Sequence, residues 1–335
     1  MSASTSLALT PTVTGGPSVE LRAAWGEQLV SLADSDERLV VLDGDLANST
    51  KADLFATAHP ERFFEMGIAE QNMLGVAAGM ATTGYVPWIS TFAAFVAKRA
   101  LDQIRVVIAQ PGLNVKMCGA YSGILTSKTG KTHQSIEDLA VFRAMPNVVT
   151  IVPADAVELK AAMAAMMDDP RPTYLRVTRD ASPVIFGDDY AFTIGKAHLL
   201  RDGGDIGIVS TGVETVRALQ AADLLAEAGV RASVLHVPTL KPFDAEAVVA
   251  LAARTGAIVT AEDHSIIGGL GGAVAEVLSE QQPTRIRRVG IRDVYGESGP
   301  NDALLDKYGI SAPHIVAAAQ ELIGVTSASR EGVAE

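Results

Sequence analysis

The chain reads as an α/β protein of two doubly wound units, and three observations predict it. Short runs rich in Val, Ile and Leu alternate with longer segments whose apolar residues recur at helical spacing. That pattern belongs to a mainly parallel sheet covered on both faces by helices. The alternation breaks over residues 180–189, where Pro183, Gly187 and paired aspartates mark a linker, and then restarts. The chain has 335 residues, 48% hydrophobic and 20% charged, which suits one large or two ordinary packed domains.

The elements follow in order. Residues 18–34 place Leu21, Trp25, Leu29 and Val30 at helical spacing. Residues 39–42 form a short buried strand, ended by Asp43-Gly44-Asp45. Residues 67–82 read as a helix, 85–90 as a strand and 95–109 as a helix. Residues 148–152 are a strand stopped by Pro153, followed by an Ala-rich helix over 154–167 and a strand over 173–177. Beyond the linker, strands are expected at 206–210, 233–237 and 257–260, and helices at 214–228 and 272–278. The two units are thus expected at 18–182 and 190–325, with tails at 1–17 and 326–335.

Charge and cysteine content exclude several function classes. A net charge of −12 argues against nucleic acid or an anionic membrane as partner. The single cysteine, Cys118, leaves no disulfide framework within the chain and reads as a small buried hydrophobe. Residues 71–97 are uncharged and long enough to mimic a membrane span, but Gly79, Thr82, Thr83, Gly84 and Pro87 break them into helix, turn and strand. Residues 1–16 carry no basic leader segment. A cytoplasmic location is the simplest expectation.

The most informative segment is Gly67-Ile68-Ala69-Glu70-Gln71-Asn72-Met73. Glu70 heads a stretch with no further charge until Lys98. A carboxylate entering small apolar surroundings loses solvation, which favours its neutral form and makes it a candidate proton donor to a basic nitrogen. A second polar centre is Thr129-Gly130-Lys131-Thr132-His133-Gln134, a glycine-containing loop that leads into a helix. Such a junction can offer backbone N–H groups and an imidazole to a ligand, although a lone loop histidine is more often ordinary surface. Two weaker patterns carry no such role. Asp43-Gly44-Asp45 followed by Asn72 has the wrong order for a diphosphate–metal motif, and Gly268-Gly269-Leu270-Gly271-Gly272 lacks the Lys-Ser/Thr of a phosphate loop. Tight turns or close helix packing suit those glycines, and Asp263-His264 beside them read as polar interface residues.

Taken together, these segments resemble the C-terminal half of transketolase. The resemblance rests on residues 62–73, on Ser90-Thr91-Phe92-Ala93-Ala94-Phe95, on Asp102-Gln103-Ile104, on residues 130–134 and on Val152-Pro153-Ala154-Asp155. It spans about residues 18–325 and implies a thiamine pyrimidine-binding domain followed by a transketolase C-terminal-like domain. The family's diphosphate-binding domain, with its Mg²⁺ motif, is absent from these residues. The resemblance therefore implies one subunit of a split transketolase, paired with an N-terminal diphosphate-binding subunit in an α₂β₂ assembly, with thiamine diphosphate and Mg²⁺ as cofactors. It implies that Glu70 gives a proton to the ring nitrogen of the aminopyrimidine, that Phe92 and Phe95 pack around that ring, and that Asp45 lies near the cofactor and the subunit interface. It further implies that His133 contacts substrate oxygens beside the reacting carbon. Arg22, Ser49 and Arg179 match positions that hold a sugar phosphate, and two guanidiniums and a hydroxyl suit a tetrahedral oxyanion.

Two positions depart from the family pattern. Thr129 stands where the family usually has Asp, four residues before the loop histidine, and Tyr121 stands where it often has His, twelve before. Both contact the sugar chain or its phosphate in the family. Their replacement implies a specialised substrate, such as an unusual phosphosugar, a sulfosugar or a non-sugar acceptor. Competing readings are the β subunit of a 2-oxo acid dehydrogenase, a 1-deoxyxylulose-5-phosphate synthase-like enzyme, and a non-catalytic regulatory subunit. The Ala-Glu-Gln-Asn-Met and Thr-His-Gln runs favour transketolase over the first. The second normally keeps one chain, and a scaffold has no need of Glu70, His133, Arg22 and Arg179 together.

Overall fold

A computed structural model describes residues 7–331. The first half supplies β1 (Ser18–Glu20), β2 (Leu39–Asp43), β3 (Phe63–Glu65), β4 (Val86–Phe92), β5 (Lys116–Ala120), β6 (Val149–Ile151), β7 (Thr173–Val177) and β8 (Ala181–Pro183). The second supplies β9 (His198–Arg201), β10 (Ile206–Ser210), β11 (Ala232–His236), β12 (Thr239–Lys241), β13 (Ala257–Ser265) and β14 (Arg285–Ile291). A seven-stranded sheet runs β12-β6-β7-β5-β4-β2-β3, and a five-stranded sheet runs β14-β13-β10-β11-β9. All pairs in the larger sheet are parallel except β12 with β6. In the smaller sheet only β9 is antiparallel. This is the doubly wound α/β architecture that the alternation predicts.

Strands β2, β4, β5 and β7 are buried at every position, as parallel strands with helices on both faces must be. Trp25, on the helix Leu21–Ser35, and Trp88 of β4 are wholly buried in that core. Strand β2 has β3 on one side and β4 on the other. The strand order therefore reverses at β2, and connections leaving the carboxyl ends there diverge around a crevice.

Several elements differ from expectation. The helix expected over 95–109 is Ala93–Arg99, then Leu101–Gln103 and a wide π-type turn Ile104–Ala109. The break falls at Ala100, whose backbone (φ −110°, ψ 14°) has left the helical region. The strand expected over 85–90 runs two residues further, so that Phe92 is its last residue. Part of the expected linker is strand β8, which pairs antiparallel with β1. Strand β12 comes from the second half yet extends the larger sheet. Residues 7–16, within the expected N-terminal tail, are tied down: Leu9 bridges Leu199, and the N–H groups of Thr10 and Val13 donate to the carbonyls of Leu199 (2.7 Å) and Ile185 (2.8 Å). They cover the open side of edge strand β9. Residues 326–331, within the expected C-terminal tail, continue the helix Ala312–Glu331. Residues 1–6 and 332–335 lie outside the described residues.

The two halves meet through buried polar contacts. Arg176 of β7 donates to Asp138 (2.8 Å) and to the carbonyl of Asp263 on β13 (2.8 Å). Asp263 accepts the N–H of Ile124 (3.0 Å), and Tyr174 donates to Asp138 (2.7 Å). Asp263 and His264 are thus buried interface residues, as read from sequence. Burial pushes His264 down to about 4. The glycine run at 268–272 grips an internal carboxylate: Glu262 accepts the N–H groups of Leu270 (2.7 Å) and Gly271 (2.8 Å). A Cβ on Gly269 would lie 2.0 Å from a Glu262 oxygen, so only glycine fits there. Cys118 is buried on β5, and burial pushes its thiol up.

Candidate active site

The singled-out residues cluster at the carboxyl ends of the larger sheet. Asp45 and Ser49 follow β2, Glu70 follows β3, Phe92 ends β4, Tyr121 follows β5 and Arg179 follows β7. This is the crevice side at which open α/β sheets hold ligands.

Glu70 opens the helix Glu70–Thr82. Its buried positions are Glu70, Met73, Leu74, Ala77 and Ala78, an i, i+3, i+4, i+7, i+8 stripe. The carboxylate thus occupies the first place on an inward-facing stripe, and it is only 3% exposed. It is not alone there. Arg99 donates from Nη1 to Glu70 Oε1 at 2.8 Å, and its guanidinium carbon lies 3.8 Å from the centroid of Phe95. The uncharged stretch after Glu70 suggests an isolated carboxyl group, whereas the fold returns a cation to it from 29 positions along the chain. Arg99 was missed in the sequence. The signal was its spacing, since Phe95 and Arg99 stand one helical turn apart.

The aromatic residues form one cluster with the loop histidine. Phe92 stacks on Tyr121 with centroids 4.0 Å apart and lies 5.6 Å from Phe95. His133 meets Phe92 and Phe95 edge-on, at 5.9 and 5.4 Å. Its Nδ1 lies 2.8 Å from Thr132 Oγ1. The second half of the chain anchors this loop. Gln134 donates to the carbonyl of Glu297 (3.1 Å), and Ser298 donates to that of Lys128 (3.1 Å). Gly130 (φ +75°) packs where a Cβ would lie 2.8 Å from Ser298 Oγ. Thr129 is engaged locally, its hydroxyl 2.6 Å from that of Thr126.

A third group stands at the other end of the cluster. Arg22 donates from Nη1 to the Tyr121 hydroxyl and to the carbonyl of Ser49, each at 3.0 Å. The guanidinium carbons of Arg22 and Arg179 lie 5.9 and 5.5 Å from the Tyr121 ring centroid. Ser49 contributes its carbonyl to this group, while its hydroxyl donates to Asn48 (3.2 Å). Asp45 stands apart from the aromatic cluster. It is exposed, with φ +66°, and its N–H donates to Glu65 (3.0 Å), which also accepts the N–H of Gly67 (2.8 Å). It thereby borders the turn that precedes Glu70. Among the described residues no three His, Cys, Asp or Glu side chains are grouped to hold a metal ion, and no helix is long and apolar enough to cross a membrane.

Known proteins resemble this chain in sequence and fold. The transketolase pyrimidine-binding domain family matches residues 17–184, and the transketolase C-terminal domain family matches 195–315. The 6-deoxy-6-sulfo-D-fructose transketolase subunit of a Clostridium species is 44% identical over 90% of this chain and 94% of its own length. A putative transketolase C-terminal section of Methanocaldococcus jannaschii is 43% identical over 88% of this chain and 93% of its own. Among solved structures, a split-gene transketolase described as an inactive β4 tetramer superposes with a TM-score of 0.85 at 47% identity, covering 91% of this chain and 99% of that one. The chain belongs to the transketolase family, and its two halves are that family's pyrimidine-binding and C-terminal domains.

Proposed function

We propose that this chain is one subunit of a thiamine-diphosphate-dependent transketolase that moves a two-carbon ketol unit from a ketose to an aldehyde, and that it acts only when joined to a diphosphate-binding subunit. The observation that carries the reading is the buried Glu70 carboxylate beside the Phe95 ring face. That pair suits an aminopyrimidine, because it already accepts a planar, N–H-bearing cation in the form of the Arg99 guanidinium. When bound, thiamine diphosphate would supply the nucleophilic thiazolium carbon that ketol transfer needs. Glu70 would hold the pyrimidine ring nitrogen in the place of Arg99, and would give and take back a proton there. Phe92 and Phe95 hold the ring, and Asp45 borders the cofactor side of the crevice. His133 donates to or accepts from the substrate oxygens next to the reacting carbon. Arg22, Arg179 and Ser49 hold the charged end of the donor sugar, with Tyr121 between them and Thr129 near its hydroxyls.

The diphosphate and Mg²⁺ fall to the partner subunit, in an α₂β₂ assembly. The split-gene relative, whose β chains alone form an inactive tetramer, supports this division of labour. The relative named for 6-deoxy-6-sulfo-D-fructose supports a specialised ketose donor. A cytoplasmic setting fits such metabolites. The test is reconstitution. The purified chain should show no ketol transfer, and activity should rise with added diphosphate-binding subunit to a fixed stoichiometry in the presence of thiamine diphosphate and Mg²⁺. Full turnover by the chain without that subunit would overturn the proposal.

A further inference from the structure

We infer that the donor end of this site is built for a singly charged tetrahedral oxyanion, a sulfonate, in preference to a doubly charged phosphate monoester. The inference rests on the proposed transketolase reading for where the donor lies, and on charge and geometry for the rest. Arg22, Tyr121 and Arg179 converge from three separate parts of the chain. Arg22 is nearly saturated: Nε and Nη2 donate to the two oxygens of Glu20 (3.1 and 3.3 Å), and Nη1 serves Ser49 and Tyr121. Arg179 donates from Nη1 to Asp180 at 2.9 Å. Each guanidinium thus has its own carboxylate, and the group carries no net formal charge. Where the family often has an imidazole, which can take up a proton and a positive charge, Tyr121 offers a neutral phenol.

A phosphate monoester carries about −1.5 to −2 at neutral pH, whereas a sulfonate carries one charge on three acceptor oxygens. In a compensated pocket the second charge loses its hydration and gains no new counter-charge. The hydrogen-bond capacity still suits three oxygens. The Tyr121 oxygen accepts from Arg22, which leaves its own O–H to donate. Arg179 Nε is buried with no partner and supplies a second donor. The remaining guanidinium N–H groups supply a third. Tyr121 has a left-handed backbone conformation (φ +55°). That backbone costs a non-glycine residue about 1–2 kcal/mol and concentrates at functional sites.

The test uses the assembled two-subunit enzyme with 6-deoxy-6-sulfofructose, fructose 6-phosphate and fructose as donors and one common acceptor. At pH 7.5 kcat/KM should be at least tenfold higher for the sulfonate than for the phosphate. The phosphate-to-sulfonate ratio should climb as pH falls through about 6, where the phosphate dianion takes up a proton and becomes a monoanion. Glu20→Gln and Asp180→Asn each add one net positive charge, and each should raise that ratio about tenfold. A wild-type enzyme that prefers the phosphate, with a ratio that neither variant moves, overturns the inference. Calorimetric binding of a sulfonate- and a phosphate-bearing sugar acid to the assembled complex reads the same preference without turnover. If no ketose reacts at all, the transketolase reading fails, and the binding comparison still decides the charge argument.

Discussion

Replacing Glu70 by Gln separates its chemistry from its place in the fold. The amide keeps the shape and one acceptor oxygen for Arg99 but has no proton to give at a ring nitrogen. General acid–base steps contribute about 10²–10⁴ in rate, which is roughly 3–5 kcal/mol at 1.36 kcal/mol per tenfold. The structural cost is far smaller. Arg99 is 44% exposed and can return to water, so its pair with Glu70 contributes at most about 1 kcal/mol, or a few degrees in Tm. The expected result is a loss of at least a hundredfold in ketol transfer by the assembled enzyme, with a melting temperature shifted by no more than a few degrees. Arg99→Met is the companion variant: it removes the partner and keeps the carboxylate, so activity should stay within about tenfold of wild type. Wild-type turnover in Glu70→Gln would refute the assignment, and so would collapse of Arg99→Met to the same low rate.

Further outcomes follow from the same geometry. Arg179→Ala should raise KM for an anionic donor about tenfold and leave kcat within about threefold, since in the proposed reading it binds the far end of the sugar and not the reacting carbon; steady-state kinetics at saturating acceptor reads this. In the same proposed reading, Thr129→Asp places an acceptor beside the sugar chain and should widen the kcat/KM gap between ketose epimers about tenfold. Glu214 is wholly buried, and burial pushes its carboxyl up from 4.5 to about 7. Arg217 lies 3.1 Å away but donates to the carbonyl of Val213 instead. A raised folded pKa stabilises the protein fully below about 4.5, and that stability is lost as pH rises through about 7. Glu214→Gln does not ionise, so its stability relative to wild type should grow between pH 5 and pH 8 by up to about 3 kcal/mol. Melting curves at the two pH values check it, and a constant difference refutes it.

The site was legible in proportion to how local its signals are. Glu70 announces itself because a charged residue stands on the stripe of Met73, Leu74, Ala77 and Ala78. His133 lies in a contiguous polar loop, and strands β7 and β10 match their expected ranges, since a short apolar run between turn residues is a local pattern. What escaped depends on contacts across the chain. Arg99 reaches Glu70 as the last residue of the helix Ala93–Arg99, 29 positions along the chain. The meeting of Arg22 and Tyr121 joins residues 99 positions apart. Strand β12 crosses to the other half's sheet over three residues, too few to show a period. The glycine run at 268–272 looks like a phosphate loop because the same backbone N–H geometry serves an internal carboxylate, Glu262, equally well.

One electrostatic feature unites these parts and bears on how the site can work. Glu70 pairs with Arg99, Arg22 with Glu20 and Arg179 with Asp180. In each pair at least one member is substantially exposed: Arg99 at 44%, Glu20 at 43% and Arg179 at 32%. The exposed member of each pair can return to water, so losing its partner costs that member little. A buried pair such as Arg176 with Asp138, at 3% and 0% exposure, costs about 3–5 kcal/mol to break. The buried Arg176–Asp138 pair thus lies where Arg176 also reaches the Asp263 carbonyl of the second half, and the more exposed pairs lie along the crevice. Arg99, at 44% exposure, can leave Glu70 for water when a ligand takes its place, and the buried Arg176–Asp138 pair is not involved.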